Sequence, residues 1–203
     1  MVQTPSSNDD DKRAALLDAA RELFLKNTYA NISIRKVADK AKVNSAMIAY
    51  YFGSKSGLFR EMVRSYIASN ISRAQATIGQ VDQMALQDFL TNFYRSVPPE
   101  LVHLVVRTII YERSEMRDWL IENLMKPAMS TANQIAKDII DHKGKSIDPL
   151  VLRTLLQSLL VAPKILQPIL LELHPKEINE QFYDQLAALN AELVASYFEL
   201  EKN

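Results

Sequence analysis

The chain has no cysteine, which excludes disulfides, thiol nucleophiles and cysteine-ligated zinc and fits a reducing compartment. Its three histidines, His103, His142 and His174, form no HxxxH or HExxH pair, so neither a metal nor any other cofactor is expected. Four glycines are too few for the turns of a many-stranded protein. None falls in a GxGxxG, GxxxxGK[ST] or GxSxG pattern, so nucleotide-binding loops and esterase elbows are missing. The nearest approach to an acid–base pair, Glu112 with His103, carries no motif, and an enzyme is not expected. No apolar run reaches the roughly 18 residues of a bilayer-crossing helix. The opening stretch MVQTPSSNDDDK lacks the hydrophobic core of a signal peptide, so a cytoplasmic chain without membrane association is expected.

Net charge is also lacking: 24 Lys and Arg oppose 24 Asp and Glu. On the average, that balance argues against a nucleic-acid partner. By region it does not, because residues 12–70 hold eleven basic and four acidic side chains, a net of +7. Residues 71–203 hold thirteen basic and seventeen acidic groups, a net of −4, and Asp9, Asp10 and Asp11 supply the remaining −3. A neutral total therefore conceals a basic N-terminal third, the electrostatic footprint of a phosphate-binding surface.

What the sequence does have is helical periodicity. Leu16, Leu17, Ala20, Leu23 and Phe24 form one apolar stripe, with Arg13, Asp18, Arg21, Glu22 and Lys26 on the other face, an amphipathic helix of about four turns. Ser33 is placed to cap a short second helix through Ala41 with Ile34, Val37, Ala38 and Ala41 on its buried side. After a turn at Lys42 and Val43, a third helix runs from Asn44 or Ser45 to Phe52. Two short helices joined by a tight turn, with the small Ala38 at their crossing, make a helix-turn-helix whose second helix exposes Ser45, Ala46, Tyr50 and Tyr51, with Lys55 just beyond. Phe24, Ile48 and Phe52 are assigned to its core.

The remainder is read as helices from Lys55 to Ile78, Met84 to Val97, Pro99 to Arg113, Glu115 to Asp141 with a kink at Pro127, Asp148 to about Leu173, and Glu177 to Leu200. The penultimate helix is apolar nearly all round and requires cover on both sides. The last places Phe182, Leu186, Leu189, Leu193, Tyr197 and Leu200 in the narrow seam that helices use against one another. The expected fold is all-α with about nine helices: a disordered tail (1–11), a three-helix helix-turn-helix head (12–56) and a helical body (57–203).

The stretch from Leu16 to Leu58 resembles the tetracycline-repressor-like (TetR) family of bacterial transcriptional regulators. The resemblance is carried by LLDAARELF from Leu16, by SIRKVA from Ser33 and by VNSAMIAYYFGSKSGL from Val43; the closing YFGSKxxL is its most specific part. It implies that Ser45, Ala46 and Tyr50 face base edges of double-stranded DNA, and that Ser33, Arg35, Tyr51 and Lys55 grip phosphates. The anion preference of a helix N-terminus at Ser33 and the flexible ammonium of Lys55 suit that division. Thr28 and Lys42 stand where the family usually has glycine, and Ala49 replaces a frequent aromatic phosphate contact.

The resemblance further implies a homodimer reading a palindromic operator, most simply a repressor, with a body that binds a small effector and dimerises. Leu155, Leu159, Phe182, Leu186, Leu189, Leu193 and Tyr197 are assigned to the dimer interface. Phe89, Phe93, His103, Arg107, Tyr111, Trp119, Asn123, Thr131 and Gln134 are assigned to a pocket for an amphipathic or apolar molecule. DNA-bound, such a protein would sit on the nucleoid. The competing reading is a helical module that presents the same face to a protein partner.

Overall fold

A computed structural model describes residues 7–76, 82–143 and 147–200. Among the described residues every regular element is helical, and the chain divides into two compact units, Met1–Tyr66 and Ile67–Asn203.

The first unit contains α1 (Ser7–Lys26), a 3-10 turn (Tyr29–Asn31), α2 (Ile34–Ala41), α3 (Ala46–Phe52) and the opening turns of α4 (Lys55–Ala76). The tail expected over 1–11 is shorter than that, because α1 already begins at Ser7; residues 1–6 lie outside the described residues. Asp9 and Asp10 fall in its first turn, where carboxylates complement the positive end of the helix dipole. The unit also runs past residue 56. Leu58, Phe59, Met62 and Val63 of α4 are fully buried, and Phe59 meets Phe24 edge-on with ring centroids 5.0 Å apart. Leu16, Ala20, Phe24, Val37, Ala38 and Ile48 complete the core. Three expected core positions differ: Ile34 is exposed, Ala41 is half-buried, and Phe52 is half-buried under the Arg13 guanidinium. The expectation that this helix extends to Ile78 ends outside the described residues, since α4 is described only to Ala76.

Lys42 adopts the left-handed conformation its position demands, at φ 55 and ψ 39. Paired bonds, Val43 N–H to the Ala38 carbonyl at 3.0 Å and Lys42 N–H to that of Asp39 at 3.2 Å, close α2 around it. Thr28, by contrast, is extended at φ −71, so the departure from glycine there causes no strain. The turn from α3 to α4 does need glycine twice. Gly53 has φ 72, and a Cβ on Gly57 would lie 1.9 Å from the Phe52 carbonyl oxygen.

The second unit holds α5 (Gln83–Ser96), α6 (Pro99–Tyr111), α7 (Glu115–Leu120), a π-helical segment (Ile121–Met125), α8 (Lys126–Lys143), α9 (Pro149–Leu173) and α10 (Glu180–Phe198). Because α7, the π segment and α8 follow without a break, the described residues trace nine α-helical rods across both units. The π segment accounts for the kink expected at Pro127: proline has no amide for the carbonyl four residues back, and the wider turn ahead of it, in which Lys126 N–H reaches Ile121, takes up the irregularity. The tight partners are α10 with α5 and α9 with α8 and α6. One core cluster gathers Leu86, Ile135, Ile139, Leu152, Val194 and Phe198, and a second gathers Leu90, Tyr94, Ile178, Tyr183 and Ala187.

Helix α9 contains Pro163 and Pro168. Pro163 deprives the Leu159 carbonyl of its helical donor, and the buried Tyr94 hydroxyl supplies a bond at 2.6 Å while accepting one from Asn190 Nδ2 at 3.1 Å. This threesome ties α5, α9 and α10 together. The expectation of an α9 covered on both sides is not met within one chain: Leu152 and Lys164 are buried, whereas Leu150, Val151, Leu155, Ile165, Leu166, Ile169, Leu171 and Leu173 are exposed. Nor does the expected lack of any membrane-length apolar segment hold, since α9, with a mean hydropathy of 1.4 in its most apolar stretch, is by length and composition long enough to cross a bilayer. Its interrupting polar residues hid it from a search for unbroken apolar runs.

Candidate nucleic-acid interface

In the first unit, α2 starts at Ser33, whose backbone is extended and whose hydroxyl accepts from Lys36 N–H at 3.2 Å. That bond leaves the amides of Ile34 and Arg35 without helical acceptors, the arrangement that suits a phosphate oxygen. Arg35 and Lys36 are exposed beside them. Ser45 is half-buried and caps nothing with its side chain. Instead Asn44 Oδ1 accepts from Ala46 N–H at 2.8 Å and launches α3, a role the sequence reading did not assign. Along α3, Ile48 points into the core at 1% exposure, while Ala46, Ala49 and Tyr50 face out, Tyr50 at 72%. The Tyr50 ring stands edge-on to Tyr51, centroids 5.0 Å apart, so a large aromatic edge is held upright on the outer face of a two-turn helix.

Two expected phosphate contacts are engaged within the protein. The Tyr51 hydroxyl donates to Asp9 Oδ1 at 3.0 Å, and partial burial together with that carboxylate pushes its ionisation upward. Lys55 Nζ donates to the Tyr29 carbonyl at 2.6 Å and lies 4.1 Å over the Tyr29 ring; burial lowers its pKa. An ammonium has three donors, so Lys55 retains capacity for a phosphate, whereas Tyr51 donates to one partner at a time. Neither Asp9 nor Tyr29 was singled out from sequence, because each lies far along the chain from the residue it meets.

Ion pairs sort the basic surplus further. Arg13 pairs with Glu61, Arg21 with Asp18 at 2.6 Å and Lys40 with Glu22 at 2.5 Å, and Lys40 holds the Glu22 carboxyl below its usual range. Three of the four acids are thereby taken up by helix-to-helix or within-helix pairs. Arg35, Lys36 and Lys42 are exposed, and among the described residues no carboxylate pairs with them. Three exposed cations without a carboxylate partner among the described residues thus lie on α2 and the turn before α3.

Residues 16–62 match the family model described as bacterial regulatory proteins, tetR family. That match covers 47 of the 203 residues and falls on the stretch that carries the resemblance read from Leu16 to Leu58. Over 121 residues, 55% of this chain and 56% of the relative, it is 31% identical to "Probable HTH-type transcriptional regulator YttP" of Bacillus subtilis. Over 90 residues, 42% of each, it is 33% identical to the HTH-type transcriptional repressor NicS of Pseudomonas putida. The chain thus spans about half the length of the curated relatives it matches. The fold is similar to that of the transcriptional regulator FadR from Bacillus subtilis, solved in complex with stearoyl-CoA. The TM-score is 0.64 at 17% identity, over 90% of this chain and 97% of that one.

In the second unit, the residues assigned to a pocket differ in exposure and in the bonds they make. Tyr111 is 80% exposed. Asn123 and Gln134 are exposed, bonded to the Trp119 carbonyl and to Asp138. Phe89, Arg107 and Thr131 are half-buried; Trp119 is buried, and Phe93 packs on the Tyr94–Tyr183 cluster. His103 donates through Nε2 to the Ile165 carbonyl at 2.9 Å, next to the Pro168 break in α9. Even α6 spacing placed His103, Arg107 and Tyr111 on one ridge, but the ridge turns outward at its C-terminal end.

The residues assigned to the dimer interface divide similarly. Leu155, Leu189, Leu193 and Tyr197 are exposed apolar side chains, whereas Leu159, Phe182 and Leu186 are partly buried against the unit's own core. Each helix needs a flank for the unit's own core, α9 against α8 and α6 and α10 against α5.

Proposed function

We propose that the protein is a ligand-responsive transcriptional regulator that binds a palindromic operator as a homodimer and, acting as a repressor, leaves it when a small amphipathic or apolar effector binds the second unit. The observation that carries this reading is the outer face of the family-matched head: Tyr50 upright on α3, flanked by Arg35, Lys36 and Lys42 without carboxylate partners. Ser45, Ala46 and Tyr50 would read base edges, and Ser33, Arg35, Tyr51 and Lys55 would hold phosphates. A second copy on the exposed apolar flank of α9 and α10 would remove Leu155, Ile169, Leu189, Leu193 and Tyr197 from water. It would also set two α3 helices about one DNA turn apart. The FadR–stearoyl-CoA complex supports a ligand-binding body. An effector releases DNA only to the extent that it prefers the released state, typically by about 1–3 kcal/mol. No step calls on catalysis, and the protein would work in the cytoplasm, at the nucleoid when bound to DNA.

The test is selection of the purified chain on a genomic DNA library, followed by titration of the enriched site at rising salt. A palindrome is expected, with affinity falling about a thousandfold between 50 and 200 mM salt and a sedimenting mass of two chains. Tyr50→Ala should abolish preference for the site and leave that mass unchanged. Salt-independent binding with no enriched sequence would instead favour a protein partner on the same face.

A further inference from the structure

We propose that Lys164 and Tyr183 form the anion-binding end of the effector site, and that the effector is an amphipathic organic monoanion whose carboxylate lies between the Lys164 ammonium and the Tyr183 hydroxyl. The inference rests on the reading of the second unit as a ligand-binding body and names the class of molecule it takes.

Lys164 is one of two buried residues of α9, at 3% exposure. Lysine is almost never buried without a countercharge, yet among the described residues no carboxylate pairs with it. Its contacts among the described residues are neutral: a bond to Gln167 Oε1 at 3.2 Å and the face of the Tyr183 ring, with Nζ 5.0 Å from the centroid. An ammonium with three donors is left short of acceptors. Tyr183, 6% exposed, has a buried hydroxyl with no hydrogen-bond partner among the described residues. Two donors with unused capacity thus lie near one another, one charged on α9 and one neutral on α10, as the two oxygens of a carboxylate require.

The surroundings give the rest of the ligand its character. Tyr183 sits in the cluster of Leu90, Tyr94, Ile178 and Ala187, with Phe93, Leu160 and Leu170 packed against it, so whatever extends beyond the head group meets hydrocarbon. The backbone is also braced on both sides of Lys164. Pro163 and Pro168 interrupt the helical ladder there, Tyr94 holds the Leu159 carbonyl and His103 holds that of Ile165. A methionine would fill position 164 of this apolar helix at no electrostatic cost. Burial lowers the Lys164 pKa, opposed only by the field of Glu100 on α6, and an anion would restore the charged form.

The full chain is titrated with sodium dodecanoate and, separately, with 1-dodecanol, reading the fluorescence of its single tryptophan, Trp119. Dodecanoate should bind about tenfold more tightly, the usual worth of a charge-assisted bond. Lys164→Met should erase that preference, Lys164→Arg should keep part of it, and Tyr183→Phe should reduce it a few-fold. Helical content at 222 nm establishes that each variant is folded. Equal affinity for the two probes, binding of neither, or a preference that survives Lys164→Met in folded protein overturns the proposal. DNA selection on the same preparation separates the two readings. A salt-dependent palindrome binder indifferent to dodecanoate loses only this inference, and a dodecanoate binder without an operator loses the regulator.

Discussion

The two units hold their polar groups in different ways. In the head, several caps and turns are closed by near neighbours: Ser33 with Lys36, Asn44 with Ala46, Lys42 with Asp39. In the body the decisive bonds span much of the chain: Tyr94 to Leu159, Asn190 to Tyr94, and the paired bonds of Arg95 to Asp184 at 3.0 and 2.6 Å. The difference teaches where specificity is stored. The head also has long bonds, Tyr51 to Asp9 and Lys55 to Tyr29, but the turns that shape α2 and α3 are set locally, whereas a body held by distant bonds across α5, α9 and α10 can be repacked by a ligand without remaking its helices.

The largest effect that would sharpen this contrast belongs to Gly57→Ala. The new methyl would collide with the Phe52 carbonyl, and relief by backbone shift should destabilise the head by about 3 kcal/mol. The expected result is lost DNA binding with an unchanged Trp119 unfolding transition, since Trp119 reports the body alone. A matching loss in that transition would show that the units unfold as one.

Tyr94→Phe should act on the other side. It strands the buried Leu159 carbonyl and the Asn190 amide, a loss of about 2 kcal/mol. Urea unfolding followed by Trp119 fluorescence should move to lower midpoint while the head's DNA affinity, measured without effector, stays the same. If the midpoint does not move, the threesome does not bind the three helices.

The smallest expected effect is a gain. Lys42→Gly removes the left-handed strain of a side-chain-bearing residue and should stabilise the head by about 1 kcal/mol in a thermal melt. It also removes one exposed positive charge, so operator affinity should fall modestly at low salt. A drop in stability would mean that the Lys42 side chain contributes more than its backbone costs.

How much was legible varied with the reach of the interaction. The bounds of α2, the cap at Ser33 and the left-handed turn at Lys42 follow from residues within one helical turn, and apolar spacing marks Phe24 and Ile48 as buried. Tyr51 with Asp9, and Lys55 with Tyr29, were out of reach because bonds between distant positions leave no periodic trace. In the body, α6 and α10 were readable as helices, but spacing along one helix does not say which neighbour each flank meets. Hence Tyr111 stands in water and Leu159, Phe182 and Leu186 serve the unit's own core. Lys164 gave no sequence signal, since a lone lysine in an apolar helix reads as a solvated one.

The absences in the sequence, its helix period and its uneven charge determined that the described residues form helices and that the first unit is basic, because composition, periodicity and capping are local physics. Tertiary structure alone decided which cations remain unpaired on α2, which flank of α9 and α10 is left apolar, and that one ammonium is enclosed beside an unbonded tyrosine hydroxyl. Burial and pairing are properties of neighbours in space, and the chain order does not contain them.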